Sequence, residues 1–263
     1  MNDTPPRVPD IDLTAPAAAR VYDALLDGKD NFEVDRRVAE MMMNAVPGLK
    51  GMARSTRAWL GRVVTFLAGE AGVSQFLDIG SGLPTNRNVH QVAQETTPGA
   101  RVVYVDRDPI VLAHGRALLA ENQYTAVVHG DLRDPAAILA HPGVRRLVDF
   151  DEPVAVLLSG VLHFLLDEDD PHALVGVLRD ALPTGSYLAI SHMENQTDPR
   201  SAEKMSRMAS SIPNQLRSRA EVLRFFGGLP LVEPGLVPVT AWRPDAEALA
   251  ADPAWLFGGV ARV

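Results

Sequence analysis

The stretch Phe76-Leu77-Asp78-Ile79-Gly80-Ser81-Gly82-Leu83-Pro84 decides the fold. It ends an apolar run of strand length, Gln75–Ile79, with two glycines one residue apart. Glycines at 80 and 82 permit a tight turn and let a ligand approach the main chain with no Cβ in the way. A dinucleotide-binding fold would continue as G-x-G-x-x-G, its helix N-terminus facing a pyrophosphate. Here the sixth position is Thr85, and an acid, Asp78, stands two residues before the first glycine. A carboxylate at that place suits a ligand that carries a cationic amino group and no phosphate. Taken alone, D-x-G-x-G also describes an ordinary surface turn.

Outward from this motif, short apolar runs recur at Arg101–Val105, Ala126–Val128, Val154–Leu158 and Tyr187–Ser191. Helical stretches separate them: Asn88–Glu95, Pro109–Glu121, Pro135–Ala140 and Pro171–Leu182. The alternation predicts right-handed βαβ units and a parallel sheet with helices on both faces. Three helices are expected before the first strand: Ala15–Leu26 with Thr14 as N-cap and Gly28 as stop, Val34–Ala45, and about Ala53–Leu67. A further helical region, about Ser201–Phe226, precedes two closely spaced candidate strands, Leu229–Glu233 and Leu236–Thr240. Pro234-Gly235 lies between them, which predicts an antiparallel hairpin. The expected fold is thus α/β, a mostly parallel seven-stranded sheet. Residues 1–13 are expected to be a disordered tail, 14–70 an N-terminal helical lid and 71–263 the core.

Two more acids stand where strands end. Val102-Val103-Tyr104-Val105-Asp106 places a carboxylate at the C-terminal end of the second strand. There it can accept two hydrogen bonds from the ribose hydroxyls of a nucleoside. Capping of the next helix is the alternative, but Asp108 is better placed for that. After the third strand, in Val127-Val128-His129-Gly130-Asp131-Leu132, Asp131 can take the exocyclic amine of adenine and the Leu132 N–H can donate to a ring nitrogen. A plain turn aspartate is the rival reading. Three acids at successive strand ends, on the edge where open α/β sheets bind ligands, point jointly to one nucleoside pocket.

At these residues the chain resembles the class I S-adenosylmethionine-dependent methyltransferases, over roughly residues 50 to 243. It is most similar to an actinobacterial branch long catalogued as a domain of unknown function. The string Ala19-Arg20-Val21-Tyr22-Asp23-Ala24-Leu25-Leu26-Asp27-Gly28-Lys29-Asp30-Asn31-Phe32 resembles that branch's opening signature. So do Asp78 to Thr85, Tyr104-Val105-Asp106-Arg107-Asp108-Pro109 and Ala241-Trp242-Arg243-Pro244, which extends the likeness over nearly the whole chain. The resemblance implies a Rossmann-like fold with S-adenosylmethionine as cofactor; it does not supply an acceptor. Where the wider superfamily has a third glycine, this chain has Pro84, which stiffens the loop and removes one backbone donor.

In that superfamily the end of the fourth strand lies beside the transferred methyl group, here Ser159-Gly160-Val161-Leu162-His163-Phe164. Ser159 is expected at the cofactor. No N/D-P-P-Y/F pattern follows, which argues against adenine, cytosine or glutamine amides as acceptors. His163 is the best candidate for a general base, against the alternative of a packed histidine that shapes the pocket floor. Glu194, with His192 nearby, is a second candidate, against the alternative of a solvated loop acid. The N-terminal helices are expected to fold over the open sheet edge. In them Asn31 and Phe32 form a loop suited to closing on the cofactor, and Arg57 could meet its carboxylate; a helix-connecting loop whose Asn needs no ligand is the equal alternative. Met205, Met208 and Ile212 recur at helical spacing, a pattern of core more often than of substrate pocket. His90 and His141 have no spacing that suggests a metal.

Composition narrows the function further. The 263 residues carry a net charge of −8 and no cysteine. Duplex binding needs a positive surface, so nucleic acid is disfavoured as a partner. Disulfides and thiolate metal sites are excluded. Met1 to Pro16 is polar and proline-rich, no signal peptide, and no apolar run approaches a membrane span, so a cytoplasmic setting is expected. The expected reaction is methyl transfer to a small-molecule acceptor. Two other classes stay open: a non-catalytic S-adenosylmethionine-binding regulatory protein, and a nicotinamide-dependent oxidoreductase, which Asp78 and the missing third glycine disfavour.

Overall fold

The computed structural model describes residues 12, 14–46, 48–85, 87–118, 122–195, 212–246 and 255–263. The expected tail, together with Met205 and Met208, lies outside the described residues apart from Asp12. Five strands come first: β1 (Gln75–Ile79), β2 (Arg101–Asp106), β3 (Thr125–His129), β4 (Ala155–Ser159) and β5 (Tyr187–Met193). All pair in parallel, β3-β2-β1-β4-β5. Asp78 sits between Tyr104 of β2 and Leu157 of β4, where the strand order reverses. Open α/β sheets bind their ligands at that reversal, outside the carboxyl ends of the strands.

The strands are buried on both faces, as parallel strands covered by helices must be. Alternate residues serve two different cores. Phe76, Val102, Tyr104, Ala155, Leu157 and Ala189 meet α3 (Leu49–Gly69) and α4 (Val89–Thr96). Leu77, Ile79, Val103, Val105, Val156 and Ile190 meet α6 (Pro135–Ala140), α7 (Pro142–Leu147), α8 (Pro171–Asp180) and α9 (Arg219–Phe225). Between β2 and β3 runs α5 (Pro109–Leu118), where Asp108 accepts the Ile110 N–H at 2.8 Å, the capping role expected of it.

The terminal strands differ from the expected hairpin. β6 is only Val237–Pro238, and it pairs antiparallel with β7 (Leu256–Arg262), which lies antiparallel beside β5. Leu231 forms a single bridge, to Ala261. Both candidate strands therefore lie against β7 and not against each other. β7 escaped the sequence reading because Gly258-Gly259 breaks its apolar run. The structure supplies the reason for the first glycine: a Cβ on Gly258 would stand 2.6 Å from the indole of Trp59. Trp59 is fully buried, so α3 docks on β7 through that gap.

Two helices precede α3: α1 (Ala18–Leu25) and α2 (Glu33–Ala45). Thr14 does not cap α1; its N–H and hydroxyl both turn to Asp12. The N-cap is Ala17, and its N–H goes instead to Asp35 of α2 at 3.0 Å. Asp35 also accepts the Phe32 N–H and pairs with Arg20 at 3.0 Å, with the Arg20 and Asp35 side chains both out of solvent. One carboxylate thus clamps both N-terminal helices. α3 adds a long apolar face (Trp59, Leu60, Val63, Val64, Leu67) directly to the sheet. Among the described residues no helix is long and apolar enough to cross a membrane.

Candidate active site

The glycine loop after β1 is held by β2. Gly80 and Ser81 both donate to the Val105 carbonyl, at 2.8 and 3.2 Å. Gly80 and Gly82 adopt φ of 71° and 67°, a region costly for any side chain. Their surroundings differ. A Cβ on Gly80 would lie 2.4 Å from Val161, so the loop after β4 packs on that glycine, whereas a Cβ on Gly82 would meet nothing within 4 Å. Gly82 therefore borders open space, and its N–H donates to Asp106 at 2.9 Å.

Asp106 takes a second N–H, from Asp108, at 2.9 Å. Burial raises its pKa while these two donors pull it down. Asp78 is more deeply placed: burial pushes it up to about 7, opposed by the charge of Arg57 and reinforced by Asp106. Arg57, on α3, donates to the Thr85 hydroxyl. Asp78, Arg57, Gly80, Gly82 and Asp106 thus lie together at the carboxyl ends of β1 and β2, the mouth of the sheet at its switch point. Sequence reasoning assigned no role to Ser81, yet its hydroxyl is buried there with no hydrogen-bond partner. The only signal for it is a small polar residue between two structural glycines.

Asp131, just past β3, accepts the Arg133 N–H at 2.9 Å and lies 3.6 Å from the guanidinium groups of both Arg107 and Arg133. The Leu132 side chain is buried in the core. Asn31 is turned into its own loop: its amide donates to Asp23 at 2.7 Å and to the Gly28 carbonyl at 3.0 Å, and its oxygen accepts from Arg36. Gly28 is required by that loop, since a Cβ there would overlap the Asp23 carboxylate at 1.9 Å. Phe32 is exposed beneath the Arg20 guanidinium. This loop lies beside α5, where Asp30 comes within 3.3 Å of His114, and Ala19 of α1 packs on Leu83, Ile110 and Val111.

On the other side of the mouth, Ser159 at the end of β4 has its hydroxyl 3.4 Å from that of Ser191 on β5. His163 follows on a 3-10 turn, Leu162–Phe164, packed on Phe164 and edge-on to His192 at 5.8 Å. It is buried, its Nδ1 has no partner, and burial, with the nearby His192 and Arg217, pushes its pKa down to about 3. Glu194 stands beyond β5, with its N–H on the Trp255 carbonyl; partial burial raises its carboxyl and Arg219 opposes this. Among the described residues no group of three or more metal-ligating side chains comes together.

The donor set fits S-adenosylmethionine. That molecule carries an α-ammonium, a carboxylate, ribose hydroxyls and adenine. The mouth offers a buried carboxylate beside an arginine, an unpartnered buried hydroxyl, a backbone with clear space above Gly82 and a pre-oriented acid at Asp106.

Comparison with known proteins points to the same cofactor. A family model described as S-adenosyl methyltransferase matches residues 5–263. A putative methyltransferase from Thermobifida fusca is 46% identical over 100% of this chain and 99% of its own, with a TM-score of 0.90. A DUF574 family protein from Streptomyces avermitilis is 42% identical over 95% of this chain and 98% of its own, with a TM-score of 0.92. At 13% identity, magnesium protoporphyrin IX methyltransferase from Synechocystis, solved with bound S-adenosylhomocysteine, shares the fold at a TM-score of 0.51 over 84% of this chain and 91% of its own. A search of curated proteins found no match. With a match over nearly its full length and the Rossmann-like sheet that such enzymes use, the chain belongs to the S-adenosyl methyltransferase family and takes S-adenosylmethionine as its cofactor.

Proposed function

We propose that this methyltransferase acts on a small-molecule acceptor, with Asp78, Arg57 and Asp106 as the principal cofactor ligands. The observation that carries the assignment is the buried Asp78 carboxylate with Arg57 beside it. A zwitterionic amino acid moiety matches one fixed charge of each sign. Asp78 takes the ammonium, Arg57 the carboxylate, and the Gly80 and Gly82 backbone lies against the same moiety. Asp106, already oriented by two N–H donors, receives the ribose hydroxyls. Asp131, with Arg107 and Arg133 beside it, and the Leu132 N–H take the adenine edge. Asn31 and Phe32 contribute through the loop that lies along α5, with the N-terminal helices as a lid.

When bound, S-adenosylmethionine supplies a methyl group on a sulfonium, which is already activated for displacement. The protein's share is then to place the acceptor and exclude water. Ser159 and His163 face that task from the end of β4, and Glu194 from beyond β5. A neutral imidazole at His163 can hold an acceptor's hydrogen-bonding group in a dry setting. The net charge of −8 and the absence of N/D-P-P-Y/F support a small molecule over nucleic acid, and a cysteine-free acidic chain suits the cytoplasm. Isothermal titration with S-adenosylmethionine, S-adenosylhomocysteine and NAD(H), followed by an acceptor panel, tests this reading. Binding of the adenosyl ligands alone, with turnover of a small molecule, is the expected outcome; turnover only on RNA, DNA or protein overturns it.

A further inference from the structure

Beside the acceptor side of the mouth lies a buried arginine that the proposed cofactor site does not use. Arg217, just before α9, is almost completely out of solvent. Its Nη1 donates to the Leu162 carbonyl at 3.2 Å, and its Nη2 donates to the Leu165 carbonyl at 3.0 Å and to Asp167 at 2.8 Å. Those three acceptors all belong to the segment after β4, residues 162–167, which carries His163. The backbone repeats the link, since the Gln215 N–H donates to the His163 carbonyl at 2.7 Å and the Asn195 N–H to the Arg217 carbonyl at 3.0 Å. One residue therefore ties the end of β4, the end of β5 and the start of α9 together.

The same guanidinium reaches His192. The Nδ1 of His192 is 2.7 Å from the Met193 carbonyl, which can only accept, so Nδ1 carries the proton. The Nε2 then holds the lone pair, and it faces Arg217 Nη1 at 3.3 Å. A guanidinium can only donate, so each contact requires the same tautomer. The groups facing His192 are His163 from the turn after β4, Arg217 from the segment before α9, and Glu221 and Phe225 from α9. The ring is buried among them.

We propose that Arg217 is the positioning residue of the acceptor side, holding the turn that presents His163 and locking His192 as the neutral Nδ1–H tautomer. The assignment rests on the methyl-transfer reading for its purpose, but not for its test. A guanidinium is too costly to bury for packing alone unless its donors are satisfied, and this fork meets the segment after β4 at three separate acceptors, which a hydrophobic residue of similar size could not orient.

The test uses the full chain labelled with ¹⁵N-histidine, as wild type, Arg217→Met and Arg217→Lys, titrated by NMR, with S-adenosylhomocysteine affinity measured in parallel. Wild-type His192 is expected to read as the neutral Nδ1–H form at neutral pH. In Arg217→Met the His192 midpoint should rise as the neighbouring cation is lost, and the His163 resonances should shift. Arg217→Lys, which keeps the charge without the fork, should restore the midpoint while His163 stays displaced. S-adenosylhomocysteine affinity should be unchanged in both. A wild-type His192 found as the Nε2–H tautomer or as an imidazolium at neutral pH overturns the proposal, whether or not Arg217→Met folds. So does a folded Arg217→Met whose histidine titrations overlay on wild type. Failure of the wild type to bind S-adenosylhomocysteine would count against the cofactor assignment instead, leaving the histidine result to judge Arg217.

Discussion

The Gly82 N–H donates to the Asp106 carboxylate at 2.9 Å, so the glycine loop after β1 and the acid that ends β2 form one hydrogen-bonded unit. With the Asp108 N–H on its other oxygen, Asp106 is oriented before any ligand arrives. Such preorganisation lowers the cost of binding.

Asp106→Ala should therefore weaken S-adenosylhomocysteine binding by roughly 1–3 kcal/mol, the range for hydrogen bonds to a charged group. Calorimetric titration reads this directly. Asp106→Asn keeps an acceptor for one N–H and should lose less. Equal affinity in all three proteins would remove Asp106 from the ribose role.

Asp78 predicts a pH dependence of both binding and stability. Its folded pKa, about 7, lies above the ordinary value of 3.8, with burial as the main cause. Between those values the folded state binds more protons than the unfolded one, so stability falls as pH rises from about 4 to about 7 and is then level for this group. Binding runs the other way. The ligand's ammonium needs the ionised carboxylate, so affinity should climb with pH through about 7 and plateau above it. Asp78→Asn should melt higher than wild type at about pH 8, by an amount worth a few kcal/mol, and bind the cofactor more weakly with a flat pH profile. Calorimetry and thermal melts from about pH 5.5 to 8.5 check both halves, and a pH-independent wild-type affinity would remove Asp78 from the ammonium.

Much of this was legible in the sequence, for a physical reason. Acids that interrupt fully apolar runs, as Asp78 and Asp106 do, need a partner wherever the run is buried, and that makes them readable without coordinates. The parallel strands are readable likewise, since burial on both faces leaves β1 and β4 with no polar alternation. What was hidden is long-range and backbone-directed. Arg217 finds its acceptors some fifty residues away, mostly on carbonyls that every residue possesses. β7 is masked by glycines whose purpose is the Trp59 indole, and α7 begins at Pro142-Gly143, which reads as a turn. Asn31 looked equally suited to a ligand or to its own loop, and its amide is held by Asp23 and Gly28.

The two glycines of the loop should separate folding from binding. Gly80→Ala drives a Cβ into Val161 as well as forcing a left-handed φ, so it should cost well over about 2 kcal/mol, read as a large drop in melting temperature. Gly82→Ala meets no protein atom, so it should cost only about 1–2 kcal/mol of backbone strain. With the cofactor seated as proposed, its methyl meets the ligand, and S-adenosylhomocysteine affinity should fall by about tenfold or more, a loss of about 1.4 kcal/mol or greater. A Gly82→Ala protein that binds normally would place the ligand elsewhere.

His163 should act in turnover and not in cofactor binding. Its imidazole is held neutral far below the usual histidine range, to about 3, by burial and by the neighbouring His192 and Arg217. In that state it accepts or donates a hydrogen bond across the physiological range without changing charge. The rate profile of the wild type should therefore carry no histidine limb near pH 6.5, in contrast to an enzyme whose base titrates at its ordinary value. His163→Ala should lower kcat by about 10- to 100-fold on any acceptor the panel identifies, with S-adenosylhomocysteine affinity nearly unchanged, because the lost contact is to the acceptor. His163→Gln keeps hydrogen-bonding capacity and should recover part of that rate. Equal losses of kcat and cofactor affinity would make His163 a packing residue. A wild-type limb at about pH 6–7 that disappears in His163→Gln would instead make it a titrating base, whose burial is relieved when the acceptor binds.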